Sequence, residues 1–173
     1  MPHRIFIALP ISEDIKQAVD IWTHDYEKLP VRWISRKNLH VTMIPPWEES
    51  DVKVAKEKLN TISGKIGEFN VEFKKIVYGP LHRRPPNLIW ASGLVPKQAV
   101  ILKDELERIF AISNSRRSLF MHMTLARFNE RHFSSFPVKH LDEEISWPNK
   151  VNSLILMESL GWSEYGVLHS VAL

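Results

Sequence analysis

Two segments of the sequence place a histidine and a threonine two positions apart within an apolar run. They read Leu39-His40-Val41-Thr42-Met43 and Met121-His122-Met123-Thr124-Leu125. Because strand side chains alternate between two faces, each histidine shares a face with the threonine that follows it, and the apolar residues point the other way. Each segment therefore predicts a strand that presents one imidazole and one hydroxyl on an open surface.

This set of groups suits a reaction at a phosphodiester. Hydrolysis of a cyclic phosphate needs a base to take a proton from water and an acid to give one to the leaving oxygen. Histidine can do either near neutral pH because its unperturbed pKa is about 6.5. Threonine hydroxyls can donate hydrogen bonds to the non-bridging oxygens, where negative charge gathers.

One His-x-Thr motif is a weak signal in a chain with eight histidines. Two motifs at equivalent places in two similar half-chains are a much stronger one. The order of strand, helix and histidine-bearing strand occupies residues 4–43 and recurs over residues 88–126. This repetition predicts two similar lobes that face each other across one groove.

Hydrophobic periodicity and chain breakers predict the elements that position the motifs. Ser12 is expected to cap a first helix of about five turns that stops at Pro30, and Asp51 is expected to open a second helix. Pro45-Pro46 is expected to break the chain after the first motif. The predicted strands cover 4–9, 32–34, 39–44, 70–78, 88–92, 119–126, 145–147, 151–159 and 166–172, and a third helix follows Pro96.

The composition bounds the class of protein. The chain has 173 residues, 44% of them hydrophobic, with no cysteine, a net charge of +3 and a pI of about 9.2. Disulfides, thiolate metal sites and a cysteine nucleophile are therefore excluded. The apolar run 5–11 is followed at once by acidic residues, which argues against a secretory signal, and no run approaches the length that spans a bilayer. We expect a soluble cytoplasmic monomer.

The paired motifs resemble those of the two-histidine phosphoesterase superfamily, and in particular the LigT-like RNA 2′,3′-cyclic phosphodiesterases, once called 2′-5′ RNA ligases. The likeness extends over nearly the whole chain, from the first strand at 4–9 to Glu158-Ser159 and the last strand. Two departures lie at the groove edge. Met121 stands where the family usually has proline, and residues 44–48 replace its usual apolar stretch ending near Gly-Glu.

The resemblance implies an α+β fold in a single two-lobed domain, residues 1–173, with two pseudo-symmetric lobes of antiparallel sheet, outer helices and a catalytic cleft between them. It implies hydrolysis of RNA 2′,3′-cyclic phosphate ends to a 2′-phosphomonoester. His40 and His122 would be the catalytic residues, and Thr42, Thr124 and Arg127 would bind the substrate. We take His122 as the base and His40 as the acid, with the reverse order open. No metal and no cofactor are expected.

Other residues are assigned by chemistry and position. Trp47 is a candidate for stacking on a base, whereas Phe6, inside an apolar strand, is expected in the core. Six residues are candidates for a basic rim that binds an RNA backbone, with an ordinary solvated loop as the alternative, and Arg116 and Arg117 are further candidates. The six are Arg32, Arg36, Lys37, His82, Arg83 and Arg84. The remaining histidines show no metal-ligand spacing and are expected at the surface.

Three alternatives remain at this stage. Within enzymes, the substrate could be a 2′-5′ phosphodiester, with 2′-5′ RNA ligation as the reverse reaction, or a small cyclic nucleotide. Outside enzymes, the same groove could serve a non-catalytic RNA-binding module. Binding alone needs positive charge and stacking rather than two titrating groups, which favours an enzyme. The expected partners are RNA ends or cyclic nucleotides, without a membrane.

Overall fold

The computed structural model describes residues 2–112 and 118–173. Arg116 and Arg117, which the sequence offered as basic-rim candidates, lie outside the described residues. The strands are β1 His3–Pro10, β2 Arg32–Trp33, β3 His40–Glu49, β4 Phe69–Gly79, β5 Leu88–Gly93, β6 His122–Arg127, β7 Asp142–Val151, β8 Ser153–Gly161 and β9 Glu164–Ala172. The helices are α1 Glu13–Asp25, α2 Val52–Asn60 and α3 Lys97–Phe110, with short 3₁₀ turns at Arg36–Asn38 and Glu130–Ser135.

Two antiparallel sheets carry these strands. The first has the order β3-β1-β8-β9 and the second has the order β2-β6-β5-β4-β7. The units β1-α1-β3 and β5-α3-β6 repeat one arrangement, in which a helix joins two antiparallel neighbours. The structure thus confirms the predicted α+β class and its two pseudo-symmetric lobes.

The predicted caps position the first two helices, although the first helix is shorter than expected. Ser12 accepts a hydrogen bond from the Ile15 backbone N–H, and Asp51 accepts from the N–H groups of Lys53 and Val54. These caps satisfy backbone donors that have no partner inside the helix. Helix α1 spans 13 residues instead of about five turns, because the chain leaves the helix in a turn before Pro30.

The strand after the first motif does not end at Pro45-Pro46, so the predicted break is wrong. Strand β3 runs through both prolines to Glu49. It lies at the edge of its sheet, where proline is tolerated because a missing N–H faces no neighbouring strand. The pairing of β3 with β1 is irregular along this part of the strand. The register shifts between Ile5 and Ile7 of β1 and again between Ile7 and Ala8.

A continuous apolar core joins the helices to both sheets. In β1 the residues Ile5, Ile7 and Leu9 belong to this core, whereas Phe6 and Ala8 on the other face form a smaller buried cluster with Met157. One face of β1 therefore packs against the helices, and the other face points toward the space between the two sheets. Among the described residues, no helix has the length and apolar character needed to cross a membrane.

Candidate active site

A cavity of about 200 Å³ lies between the two sheets. Both His-x-Thr pairs contribute to its walls, together with the strand end that carries Arg127. The complete lining consists of Phe6, Ile34, Asn38, His40, Thr42, Pro46, Leu88, Trp90, His122, Thr124, Arg127 and Tyr165. The structure therefore brings five of the six sequence-predicted site residues to one cavity.

The two histidines occupy matching positions in the repeated unit. His40 is the first residue of β3 and lies opposite Pro10 of β1, whereas His122 is the first residue of β6 and lies opposite Ser92 of β5. Strands β3 and β6 approach each other across the two sheets. Because each threonine is two residues further along its strand, it projects from the same face as its histidine.

Each imidazole is held by a backbone carbonyl. Nδ1 of His40 donates to the carbonyl oxygen of Asn38 at 2.7 Å, and Nδ1 of His122 donates to that of Phe120 at 2.9 Å. A carbonyl oxygen can only accept, so the proton lies on Nδ1 in both rings. The neutral ring then keeps Nε2 as a proton acceptor, and the protonated ring keeps it as a donor.

Aromatic side chains surround both rings. His40 lies between Phe6 and Tyr165, with ring centroids 5.0 and 5.2 Å away. His122 lies 4.3 Å from the Trp90 ring centroid and 5.3 Å from that of Phe120. This packing restricts the rotation of the imidazoles and keeps bulk water from their faces.

Burial lowers the pKa of His40 and of His122 from the ordinary value of 6.5, because it penalises the charged form. The carbonyl that each ring contacts acts in the opposite direction and raises the pKa. The positive charge of Arg127 lowers the pKa of both histidines further, and His122 lowers that of His40. An anion bound between the rings would offset this positive charge.

Arg127 is the last residue of β6, and it pairs along the sheet with Arg32 on one side and Leu88 on the other. None of the described residues that line the cavity is acidic. The guanidinium therefore meets no carboxylate from that lining, and its planar fork suits two oxygens of a phosphate. The cavity thus combines two imidazoles, two hydroxyls and one permanent cation.

Comparison with known protein families matches residues 7–90 to the LigT-like phosphoesterase model. The matched range includes the first motif, and the fold places the second motif on the other side of the same cavity. Residues 7–90 are therefore similar to the LigT-like phosphoesterases. Members of this family act on phosphodiester bonds, in agreement with the groups that the cavity presents.

Solved structures share the fold of this protein over its full length. An E. coli LigT structure complexed with 3′-AMP is 21% identical, with a TM-score of 0.77, covering 100% of this chain and 99% of the other. The protein TT0787 of Thermus thermophilus is 16% identical, with a TM-score of 0.78, covering 98% and 97% of the two chains. An E. coli LigT structure with NADP+ is 21% identical and has a TM-score of 0.74, with coverage of 100% and 99%. A search of curated proteins found no match.

Several residues of the cavity were not predicted from the sequence. Tyr165 comes from β9, and Trp90 from β5 lies opposite Thr124 in the sheet. Asn38 is 1% exposed, donates Nδ2–H to the carbonyl of Ser163 at 3.0 Å and carries the carbonyl that holds His40. The only sequence signal for Trp90 is the internal repeat of strand, helix and strand. This repeat predicts that β5 pairs with β6, as β1 pairs with β3.

Trp47, the candidate for base stacking, does not line this cavity. It pairs with Ile5, whose side chain faces the main core, and its ring centroid lies 5.3 Å from that of Phe110. Trp47 is five residues beyond Thr42, an odd offset that places it on the opposite face of the strand. Its position does not fit the stacking role, and its indole instead joins β3 to α3.

Phe6 departs from its predicted place in a different way. It is 1% exposed, as expected for a core residue. However, it belongs to the smaller cluster rather than the main core, and it lines the cavity beneath His40. Its neighbours Ile5 and Ile7 take the core positions, so alternation along β1 decides the difference.

Three of the six residues in the predicted basic rim are paired with carboxylates of this protein. Arg36 pairs with Glu13 and Asp20, Lys37 pairs with Glu164 at 3.1 Å, and Arg83 pairs with Glu130. Arg32 donates to the hydroxyl of Ser163 at 3.0 Å. Arg84 donates to the carbonyl oxygens of Leu81 and Arg83 in its own loop.

A metal centre finds little support in the residues present. Across residues 2–112 and 118–173, no group of three or more histidine or acidic side chains has the arrangement of a metal site. Metal independence stays a prediction that needs a measurement on the protein.

Proposed function

We propose that this protein hydrolyses 2′,3′-cyclic phosphates at RNA ends to 2′-phosphomonoesters, without a metal. The observation that carries the proposal is the pair of imidazoles on one cavity, each anchored at Nδ1 with Nε2 available for proton transfer. Two rings in this state provide the acid and the base that ring opening requires. A module that only bound RNA would have no use for two anchored, titrating rings.

The proposed reaction begins with the cyclic phosphate between the two motifs. The hydroxyls of Thr42 and Thr124 and the guanidinium of Arg127 face the same cavity and would bind the non-bridging oxygens. Nε2 of His122 takes a proton from water, whose oxygen forms a new bond to phosphorus. The bond to the 3′-oxygen breaks, and Nε2–H of His40 protonates that oxygen. The product carries a 2′-phosphate and a free 3′-hydroxyl.

The ligands of structural relatives are consistent with this class of substrate. The E. coli LigT structures were obtained with 3′-AMP, with NADP+ and with ATP, all of which are nucleotides. We propose that the equivalent cavity of this chain also binds a nucleotide-sized ligand. The 2′,3′-cyclic phosphate is the member of this chemical class that needs both an acid and a base for ring opening.

The first test incubates the protein with an oligoribonucleotide that ends in a 2′,3′-cyclic phosphate and identifies the product by mass spectrometry and phosphatase treatment. We expect addition of one water and a phosphate on the 2′-oxygen. A 3′-phosphate product would reverse the leaving group in our proposal. Binding without turnover would favour the RNA-binding module, and cleavage of internal 2′-5′ linkages alone would favour the alternative diesterase.

The second test repeats the assay in excess EDTA, followed by dialysis and addition of single divalent cations. We expect the rate to persist in the chelator, because the proposed acid, base and charge stabilisation all come from side chains. Loss of activity that one particular cation restores would contradict metal independence. The same test with 2′,3′-cyclic AMP as substrate separates a nucleotide activity from one that requires an RNA chain.

A further inference from the structure

Two larger cavities adjoin the active site on its His122 side. The first, of about 680 Å³, shares His122, Thr42 and Trp90 with the active-site cavity. The second, of about 430 Å³, shares Leu81 and Phe120 with the first. The three cavities therefore form one continuous groove that begins at the catalytic histidines and passes over Phe120.

The nearer cavity has an apolar character. Met43, Pro45, Leu119 and Phe120 contribute to its walls, and Phe120 is 38% exposed. The Phe120 ring is nearly parallel to that of His122, at an interplanar angle of 26°. An exposed aromatic ring and an apolar wall beside a phosphate site suit a nucleobase, which gains free energy by stacking.

The farther cavity has a positive character. Arg84, Lys139, Lys75 and His140 line it, with Asp142 as its acidic residue. Lys75 is neutralised by Asp142 at 2.9 Å. Arg84 and Lys139 instead contact only backbone carbonyls among the described residues, and the Lys139 ammonium lies 5.7 Å from the centroid of the Phe133 ring. Two cations therefore face the groove without a described carboxylate partner.

On the opposite lip of the active site, formed by β2 and the segment before β3, two of the three cations are bound to carboxylates, and Arg32 contacts the hydroxyl of Ser163. Arg36 and Lys37 are bound there to carboxylates of α1 and β9, as described above. An anionic chain that leaves the active site over that lip would have to break ion pairs. A chain that leaves over Phe120 meets an apolar surface first and two uncompensated cations next, so charge favours this direction.

We propose that the groove from His122 past Phe120 to Arg84 and Lys139 binds the RNA strand on the 5′ side of the reacting phosphate. The apolar cavity takes the base of the terminal nucleotide, and the two cations take the next phosphate. This proposal rests on the proposed function and adds to it the path of the RNA strand away from the active site and the residues that bind it. It also assigns a binding site to a surface formed by β4, β5 and the segment around Lys139.

The experiment compares Arg84→Gln, Lys139→Gln and the double variant with the matched charge removal Lys37→Gln on the opposite lip. Binding of a labelled five-nucleotide RNA with a 3′-terminal phosphate is titrated at several salt concentrations. We expect the double variant to bind at least tenfold more weakly and to lower the salt slope by roughly 0.7 for each phosphate that the protein no longer neutralises. Lys37→Gln should change binding less than twofold. Because Lys139 also contacts the end of a 3₁₀ turn, melting temperatures are measured and Arg84→Gln alone must show the effect.

Turnover measurements then test the groove assignment and the proposed function separately. With 2′,3′-cyclic AMP and a five-nucleotide cyclic phosphate as substrates, kcat/KM for the oligonucleotide should fall much more than kcat/KM for the mononucleotide in the double variant. Equal binding by wild type and the folded double variant, or an equal loss in Lys37→Gln, would overturn the groove assignment even if the enzyme is active. Absence of turnover on both substrates, with the binding difference intact, would overturn the proposed function alone.

Discussion

His40 and His122 have the same relationship to the chain that precedes them, since each Nδ1 donates to the carbonyl oxygen two residues earlier, at 2.7 and 2.9 Å. Residues Asn38 and Phe120 supply these carbonyls just before β3 and β6 begin. The same local geometry on two strands aims two equivalent nitrogens into one space. The proposed acid and base are thus chemically alike.

Replacement of either imidazole should remove most turnover and leave the fold intact. We expect His40→Ala and His122→Ala each to lower kcat by about 10²–10⁴-fold on an RNA 2′,3′-cyclic phosphate. The double variant should lose little more than either single variant, because groups that act as a unit are not additive. Single-turnover cleavage with a parallel binding titration measures this. A double variant within about tenfold of wild type would rule out the assigned roles, because it lies below that range.

A substrate with sulfur in place of the 3′-oxygen should tell the acid from the base. A thiolate leaves without protonation more readily than an alkoxide, so its departure depends little on the acid. We expect the sulfur substrate to recover activity in His40→Ala and not in His122→Ala. Recovery in His122→Ala alone would exchange the two roles. Equal recovery in both would contradict a distinct acid and base.

Removal of the Arg127 charge should raise the pKa of both histidines. Its positive charge lowers both values in the free protein, together with the burial that has the largest effect. In Arg127→Gln the two pKa values should move up toward 6.5 and stay below it, as NMR titration of the imidazole C–H signals would measure. The matched variant Arg131→Gln removes a charge from an exposed 3₁₀ turn outside the cavity, and it should leave both values unchanged. If the pKa values of the two histidines do not change in Arg127→Gln, the charge of Arg127 does not affect their imidazoles.

The pH dependence of kcat/KM and that of kcat should differ in a defined direction. In the free enzyme the base must be neutral and the acid must be protonated. The pH profile of kcat/KM is therefore bell-shaped, and its two limbs report the macroscopic pKa values of the histidine pair. Burial and positive neighbours lower both pKa values, so both limbs of kcat/KM should lie below about 6.5, the unperturbed value. A bound phosphate anion stabilises imidazolium, so the kcat bell should lie at higher pH. A kcat bell at lower pH than the kcat/KM bell would contradict this electrostatic account.

Because Gly79 lies close to the Trp90 indole, one methyl group added at Gly79 should destabilise the protein. A Cβ at this position would lie 2.5–2.8 Å from three carbon atoms of the indole, which itself packs 4.3 Å from the His122 ring centroid. We expect Gly79→Ala to lower stability by about 1–3 kcal/mol through overpacking and to lower kcat by displacing His122. At Gly67 a Cβ would meet no atom within 4 Å, so Gly67→Ala is the control. Thermal unfolding and kcat close to wild type in Gly79→Ala would contradict the proposed contact.

The sequence by itself determined the local features of this protein. Alternation around His40 and His122 placed each histidine with its threonine, and Ser12 and Asp51 capped their helices as expected. These features depend on residues a few positions apart, whose geometry the backbone fixes within one strand or one helical turn. The repeat of strand, helix and strand extended this local information to a two-lobed fold.

The tertiary structure alone decided which of the predicted side chains remain available at the site. Lys37 is neutralised by Glu164, far away along the chain, whereas Arg84 and Lys139 come to one groove without a described carboxylate partner. Likewise, β9 brings Tyr165 against Phe6 and into the cavity. Sheet order and strand register set these encounters, and both depend on the packing of the whole core rather than on any local pattern.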